Sequence, residues 1–446
     1  MKVELIAETN VEPTVLSSHA AKKCYTAENP VLGQLIDVNA RLFAPGHHTT
    51  LQHNYFTFSL EDVPVSACVL GLHLTSPYYN TDQRSGRFSK MYNNPDFDGI
   101  EAHLKAFYPA EDIQTVMNFV KKGAQIYADN IEPLTELAKT AIQQERPFAN
   151  EKYVNSQAPK FAQEQLRMFI SLIAPTGLDY TVNLSALTAL YRSAWTPELK
   201  DLTQKMADAV VAKHPDVAYM FEQDKRLDKM WTPKIQTNVA SVKENPELKL
   251  LDVSLDLPLS DVEGKDTVDI FHFSPFNMND NVNRIKTEIE IDCGATMGQD
   301  QRHRSIRRSE PVLTGAFYLP PLLKEGGLSQ TAQEYMQEYL DLSQKINPTL
   351  AMMIMPYGAM MRYQKETSVN ALKHEQAKRL CWCAQEEIYH LSVLLRQALE
   401  QHPMGQKLLP LLAPPCYAHK CIEGVRYCGR QLNKTLVSDY FQKRRV

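Results

Sequence analysis

The sequence predicts an α+β chain made of two successive halves of like organisation, and three observations carry that prediction. Apolar and polar residues alternate over Phe56, Phe58 and Leu60, and again over Ile285, Thr287, Ile289 and Ile291, which is the period of a strand with one buried face. Apolar positions recur at helical spacing over 110–143, 162–213 and 376–400. Each half runs in the same order: strands, a polar loop rich in Arg and Ser, then helices. A period of roughly 200 residues reads as a domain duplication and not as a solenoid.

In chain order, the strand at 56–60 is followed by a turn at Val63-Pro64-Val65 and a second apolar element at Cys68-Val69-Leu70. Ile113, Val116, Val120, Ala124 and Tyr127 form a helical stripe, with Pro133 marking a bend or a new start. The stretch 162–213 reads as two or three helices, interrupted near Pro175 and Pro197. Pro233, Pro246 and Pro258 mark a connector over 231–266 with one or two strands. After Gly326-Gly327 a helix carries Tyr335, Met336, Tyr339, Leu340 and Ile346, with Pro348 as its stop. A last long helix is expected over 376–400, with Ile388, Leu391, Leu395 and Ala398 on its apolar face.

Composition limits the function classes. The 446 residues are 43% apolar and 22% charged, ordinary for a globular protein of two or three domains. Lys+Arg total 48 against Asp+Glu 52, a net charge of −4, so no global field draws nucleic acid or an anionic membrane. No apolar run approaches the roughly 18–20 residues of a membrane span. Glu4 and Glu8 interrupt what a signal peptide would need as an apolar core. Eight cysteines are too sparse for a disulfide framework, so the expectation is a soluble, reduced, cytoplasmic protein.

The densest cationic cluster is RHRSIRRSE, Arg302 to Glu310. Guanidinium forks suit phosphate and carboxylate, although a solvated charged loop has the same composition. In the first half, Ser85-Gly86-Arg87 offers a hydroxyl, an unhindered backbone and a guanidinium within a single turn, a plausible phosphate cradle just after Gln83. Upstream, PGHHTTLQHNYFTF carries His47, His48 and His53, but no carboxylate or cysteine completes a metal-ligand set. Thr49, Thr50 and Gln52 make hydrogen bonding to a polar ligand the better functional reading, beside a plain turn entering a strand. Arg167 and Arg379 each follow apolar company, where snorkelling or ion pairing is the usual role. Cys381, Cys383, Cys416, Cys421 and Cys428 crowd the C-terminal end with His419, yet their spacing matches no CxxC pair. No GxGxxG, P-loop or GxSxG motif occurs, so no standard dinucleotide fold holds a nucleotide here.

Taken together, PGHHTTLQHNYFTF, SGRFSK at 85–90, the RHR triplet at 302–304 with Gln299 before it, and KRLCWCAQEEI at 378–388 resemble the flavin-dependent thymidylate synthases. Arg167 with Tyr180-Thr181-Val182-Asn183 resembles the helix that precedes in the first half. The resemblance implies tandem copies of an antiparallel-sheet α+β domain forming a pseudo-dimer: 1–225 on the nucleotide-phosphate side, 226–402 on the flavin side, and a Cys/Pro-rich tail at 403–446. It implies FAD as cofactor, NADPH as reductant, methylene-tetrahydrofolate as carbon donor and dUMP as substrate. Arg379 would be catalytic. His47, Thr49, His53, Arg302, His303, Arg304 and Glu310 would hold the flavin. Gln299, Gln83, Ser85, Gly86, Arg87, Arg167 and Arg379 would hold the nucleotide, and no metal is expected.

Each half departs from the family pattern in a different way. The second half has RHR but Val312 and Thr314 where a serine and a phosphate arginine belong. The first half keeps Ser85 and Arg87 but has Leu72-His73-Leu74 in place of RHR. Met352 is the counterpart of Arg167, and Asn277 and Asn279 are those of His47 and Thr49. The expectation is a composite site shared by unlike halves, a dead mirror-image site, and a homodimer of tandem chains in place of a tetramer. Hydroxymethylation of dUMP or another C5 modification, or a flavin- or nucleotide-binding homologue without catalysis, are the alternatives.

Overall fold

The structure is a computed structural model that describes residues 1–74, 79–87, 89, 91–256, 259, 283–301, 307–418, 421, 423, 427–428, 430 and 440–446. The chain divides into two compact units: Met1–Ser85, Asp98–Ile113 and Ile173–Thr232 form the first, and Gly86–Phe97, Gln114–Leu172 and Pro233–Val446 the second. This spatial grouping cuts the chain differently from the sequential divisions at 225/226 and 402/403.

The first unit is built on an antiparallel sheet of four strands: β1 (Lys2–Glu8), β2 (Tyr55–Pro64), β3 (Tyr79–Gln83) and β4 (Pro175–Asn183), in the order β1-β2-β4-β3. The alternation seen in the sequence sets its buried face, because successive strand side chains point to opposite sides. Phe56, Phe58 and Leu60 are 2% exposed or less and share that face with Leu178, Tyr180 and Val182. On the opposite face the paired Thr57 and Thr181 hydroxyls hydrogen-bond at 2.9 Å. β4 corrects the sequence expectation, since Tyr180 to Asn183 were expected to resemble a helix and instead lie in a strand. Thr, Tyr and Val favour a pleated, half-buried surface, and Asn183 only begins the next helix by capping Ala186 N.

The second unit holds a larger sheet. Its strands are β5 (Lys234–Ile235), β6 (Ser241–Lys243), β7 (Glu247–Ser254), β8 (Arg284–Asp292), β9 (Arg307–Arg308), β10 (Val312–Tyr318) and β11 (Ala359–Ser368). The main order is β5-β10-β11-β8-β7, with β6 pairing β10 and β9 pairing β11. Tyr363 lies opposite Ile289 and Met361 opposite Ile291. Val253, Ile285, Val369, Leu372, Leu395 and Leu399 form a core cluster under the sheet. Burying each such side chain stabilises the fold by about 1.5–3 kcal/mol before entropy is subtracted.

Proline and a break depart from the expected helices. The Ala110–Glu145 helix continues through Pro133, which is not a new start. Pro348 is not a stop but the first residue of the Pro348–Met353 helix, capped by Asn347. The expected helix over 376–400 is two helices, Val369–Arg379 and Glu386–Glu400, parted at 380–385. No helix among the described residues is long and apolar enough to cross a membrane.

Candidate active site

The break at 380–385 sits at the centre of a polar cluster inside the second unit. Gln385 is the N-cap of the Glu386–Glu400 helix, yet its side chain makes no cap hydrogen bond. Its Oε1 instead accepts from Arg167 Nη2 at 2.6 Å and from Gln299 Nε2 at 2.9 Å. Arg379, the last residue of the preceding helix, donates to Gln299 Oε1 at 3.1 Å and to its carbonyl at 3.2 Å. Arg167, Gln385, Gln299 and Arg379 thus form one hydrogen-bonded chain.

Arg87 enters the same cluster from the 86–97 segment. Its Nε pairs with the buried Glu164 carboxylate, and its Nη1 donates to the Cys383 carbonyl at 3.1 Å. The loop backbone around it is pinned by Gln163, whose amide donates to the Gly86 carbonyl at 2.8 Å and the Ser89 carbonyl at 2.6 Å. Glu164 and Gln163 lie on the Glu151–Leu166 helix, and Arg167 begins the short turn that follows it. Consecutive residues on one helical end therefore position both arginines.

Gly86 is required by close approach. A Cβ there would lie 2.6 Å from the Tyr92 hydroxyl and 3.0 Å from Arg167 Nη1. Tyr92 is buried and donates to the Tyr357 hydroxyl at 2.8 Å, while Arg167 lies 5.9 Å from the Tyr357 ring centroid. Burial raises the Tyr92 pKa, against the opposing pull of Arg167, so the phenol stays protonated.

Buried carboxyls fix the turn that carries Gln299. Asp300 accepts from Lys365 Nζ at 2.8 Å, from the Tyr363 hydroxyl at 2.7 Å and from Arg308 Nε at 3.0 Å. Burial pushes its carboxyl upward, but Lys365 and Arg308 outweigh that and hold it well below the usual range. Glu387 accepts from Asp292 N at 2.9 Å and from the Thr296 hydroxyl at 2.5 Å. Burial and then the Asp292 charge raise its pKa well above normal, so Glu387 is a neutral acid that ties the Glu386–Glu400 helix to the 292–297 turn.

The other expected residues are distributed as follows. Arg302, His303 and Arg304, like Asn277, Asn279 and His419, lie outside the described residues. Glu310 is exposed after β9. His47, Thr49 and His53 are exposed in the first unit, in and beside the His48–His53 turn. Gln83 ends β3 opposite Leu178, and Ser85 closes the first unit's segment directly before Gly86. Sequence reasoning passed over Gln385, Glu164, Gln163, Tyr92 and Tyr357 as site residues. Gln385 lay in plain sight inside the quoted KRLCWCAQEEI, but a continuous helix was expected there.

A family model described as thymidylate synthase complementing protein matches residues 4–216. The thymidylate synthase match takes in His47, Ser85, Arg87 and Arg167 and stops short of Gln299, Arg379 and Gln385. Two solved structures of thymidylate synthase X from Helicobacter pylori, each with FAD and dUMP, are similar at 18% identity. One match covers 50% of this chain and 99% of that chain, with a TM-score of 0.33; the other covers 51% and 100%, with a TM-score of 0.32. No curated protein matches the chain.

Proposed function

We propose that the chain catalyses FAD-dependent reductive methylation of dUMP to dTMP, with methylene-tetrahydrofolate as carbon donor and NADPH as reductant. The observation that carries this reading is the hydrogen-bonded chain joining Arg167 to Arg379 through Gln385 and Gln299, with Arg87 on the same 380–385 segment. Residues from both halves of the sequence meet there, as a composite site requires.

The cluster has capacity for an anionic, oxygen-rich ligand. Arg167 Nε and Gln385 Nε2 are buried without a hydrogen-bond partner among the described residues, so both have donors to offer. Gly86 keeps the space beside Tyr92 and Arg167 clear of a side chain. In this reading Ser85, Gly86 and Arg87 take the phosphate, with Gln83 nearby in sequence, and Arg167 and Gln299 orient the nucleotide. Arg379 stabilises negative charge that develops at the pyrimidine N3 and O4 during attack from C5. His47, Thr49, His53, Arg302, His303, Arg304 and Glu310 would hold FAD. Reduced flavin, when bound, supplies hydride and the folate supplies carbon, so the protein's share is binding, orientation and charge stabilisation.

The same reading makes the chain a tandem duplication with one working and one dead site. It assembles as a cytoplasmic homodimer that mimics a tetramer of single domains. Incubation with dUMP, methylene-tetrahydrofolate, NADPH and FAD, followed by product mass, is the test. A methyl product supports the proposal, whereas a hydroxymethyl product redirects it to the sister reaction. Protein that purifies colourless, takes up no FAD and binds no dUMP sinks it.

A further inference from the structure

The first unit holds a polar cavity of about 340 Å³ that none of the roles above uses, with room for a small ligand. Arg192, Lys225, His48, Phe43, Tyr219 and Glu222 are among the residues that line it. Arg192 stands near the end of the Leu184–Ser193 helix. Its Nε and Nη2 are buried without a hydrogen-bond partner among the described residues, and so is the Tyr219 hydroxyl. Buried donors of this kind are rare in folded proteins because each has given up water and gained nothing in return.

The carboxylates nearby are engaged elsewhere. Glu222 pairs with Lys225 at 3.0 Å. Asp37 and Asp216, whose charges reach Tyr219, accept from Ala40 N at 2.9 Å and from the Thr14 hydroxyl. Arg192 is nonetheless held in place: its guanidinium carbon lies 5.0 Å from the Phe43 ring centroid, and its carbonyl accepts from Leu227 N at 2.8 Å. The sequence sets it where Arg379 stands in the second half. Val182-Asn183 and Val369-Asn370 are each followed, after eight intervening residues, by an arginine, and after two more by a tryptophan, Trp195 or Trp382. Each run leaves a strand, β4 or β11, for a helix that ends at its arginine or one residue past it. Arg379 is bonded to Gln299, whereas Arg192 lines a cavity.

We propose that this cavity is a second anion site, in the first unit, and that it takes a phosphate monoester. A guanidinium presents paired N–H groups that match phosphate oxygens. Lys225, exposed on the same cavity, adds a mobile point charge when it turns from Glu222 to the ligand. His48, also exposed, stacks on Phe43 with ring centroids 5.8 Å apart and brings an imidazole to the same wall. Two cations with a histidine beside them attract a dianion more strongly than a single carboxylate, since the attraction scales with the product of the charges.

The test dialyses the full-length protein to equilibrium against radiolabelled ribose 5-phosphate, a phosphate monoester without a base, with and without excess inorganic phosphate. Wild type is expected to bind the sugar phosphate, inorganic phosphate to displace it, and Arg192→Gln to lose one bound equivalent. Lys225→Gln, at an exposed position, should weaken that same equivalent by about 10-fold. Arg87→Ala should leave it in place, so that failure of the dUMP reading and failure of this one are separate results. No binding by wild type, or binding unchanged by both Arg192→Gln and Lys225→Gln, overturns the proposal. So does displacement of this equivalent by FAD, which would make the cavity part of the flavin's own site.

Discussion

Arg167 and Gln299 donate to the same atom, the Oε1 of Gln385, although they stand far apart in the sequence. The amide cannot be flipped without setting its own N–H groups against two other donors, so the arrangement is one-way. Gln385→Leu removes both hydrogen bonds and leaves Arg167 buried with less to bind. Loss of such bonds to a charged group is worth about 1.5–3 kcal/mol, an expected weakening of dUMP binding of about 10–100-fold. Calorimetric titration with dUMP checks this, and unchanged affinity would remove Gln385 from the site.

Gly86→Ala forces its new methyl against the Tyr92 hydroxyl and Arg167. Overpacking of this kind costs about 1–3 kcal/mol, and here it also displaces the guanidinium proposed to orient the nucleotide. Lower thermal stability and weaker dUMP binding are expected together. Adding Tyr92→Phe removes the nearest clashing atom and should restore part of both; no restoration would place the strain elsewhere.

Arg87, Arg167, Gln299 and Arg379 gather within one compact unit of a single chain. Mixing inactive Arg87→Ala protein with inactive Arg379→Ala protein should therefore give no recovery of dTMP formation. Recovery toward a quarter or more of wild-type rate would mean that sites are assembled between chains.

His214 in the first unit hydrogen-bonds Glu12 at 2.5 Å and Glu8 at 2.9 Å. Burial works to lower its pKa, but the bonds to Glu8 and Glu12 outweigh that and raise it above 6.5. Its stabilisation is full below 6.5 and fades as pH rises through the raised value. The Glu8 carboxyl, pushed up by burial but lowered on balance by His214 and Lys213, contributes above 4.5 and fades as pH falls through its lowered value. His214→Gln should lower the unfolding temperature most in mildly acidic buffer and least at alkaline pH. A deficit that stays constant across that range would show that the ion pair does not matter.

Lys365 lies between Asp300 and Glu375, at 2.8 and 3.0 Å, with all three buried. Lys365→Met takes the cation from Glu375 and leaves Asp300 only Arg308 and the Tyr363 hydroxyl, and breaking a buried pair in this way costs about 3–5 kcal/mol. Urea denaturation should report a loss of that order; a loss under about 1 kcal/mol would mean that the carboxyls are neutralised by other means.

Much of this architecture is readable from residue order, and the unread parts have physical causes. The alternation at 56–60 and 285–291 becomes β2 and β8 because one face of each is buried. β10 and β11 escape a period-2 search because residues on both faces of Val312–Tyr318 and Ala359–Met361 are buried, so no exposed polar residue alternates with the apolar ones. The arginines Arg87, Arg167 and Arg379 stand out through their motifs. Gln385 does not, since neutral amides carry no charge signal and the apolar stripe on either side of 380–385 keeps helical phase across the break. Cys381-Trp382-Cys383 is the local hint, residues of modest helix propensity crowded between two good helix formers.

Gln385 and Gln299 orient two guanidinium groups with neutral oxygens. A glutamate at either position would hold them as well, but it would also cancel the positive field that an incoming dianion meets. Scaffolding by amides separates aim from charge: the geometry is set in advance while the positive charge is left uncancelled for the proposed nucleotide. A Gln385→Glu chain would thus look intact by every measure of folding and still be a poorer trap for phosphate, most visibly at low ionic strength.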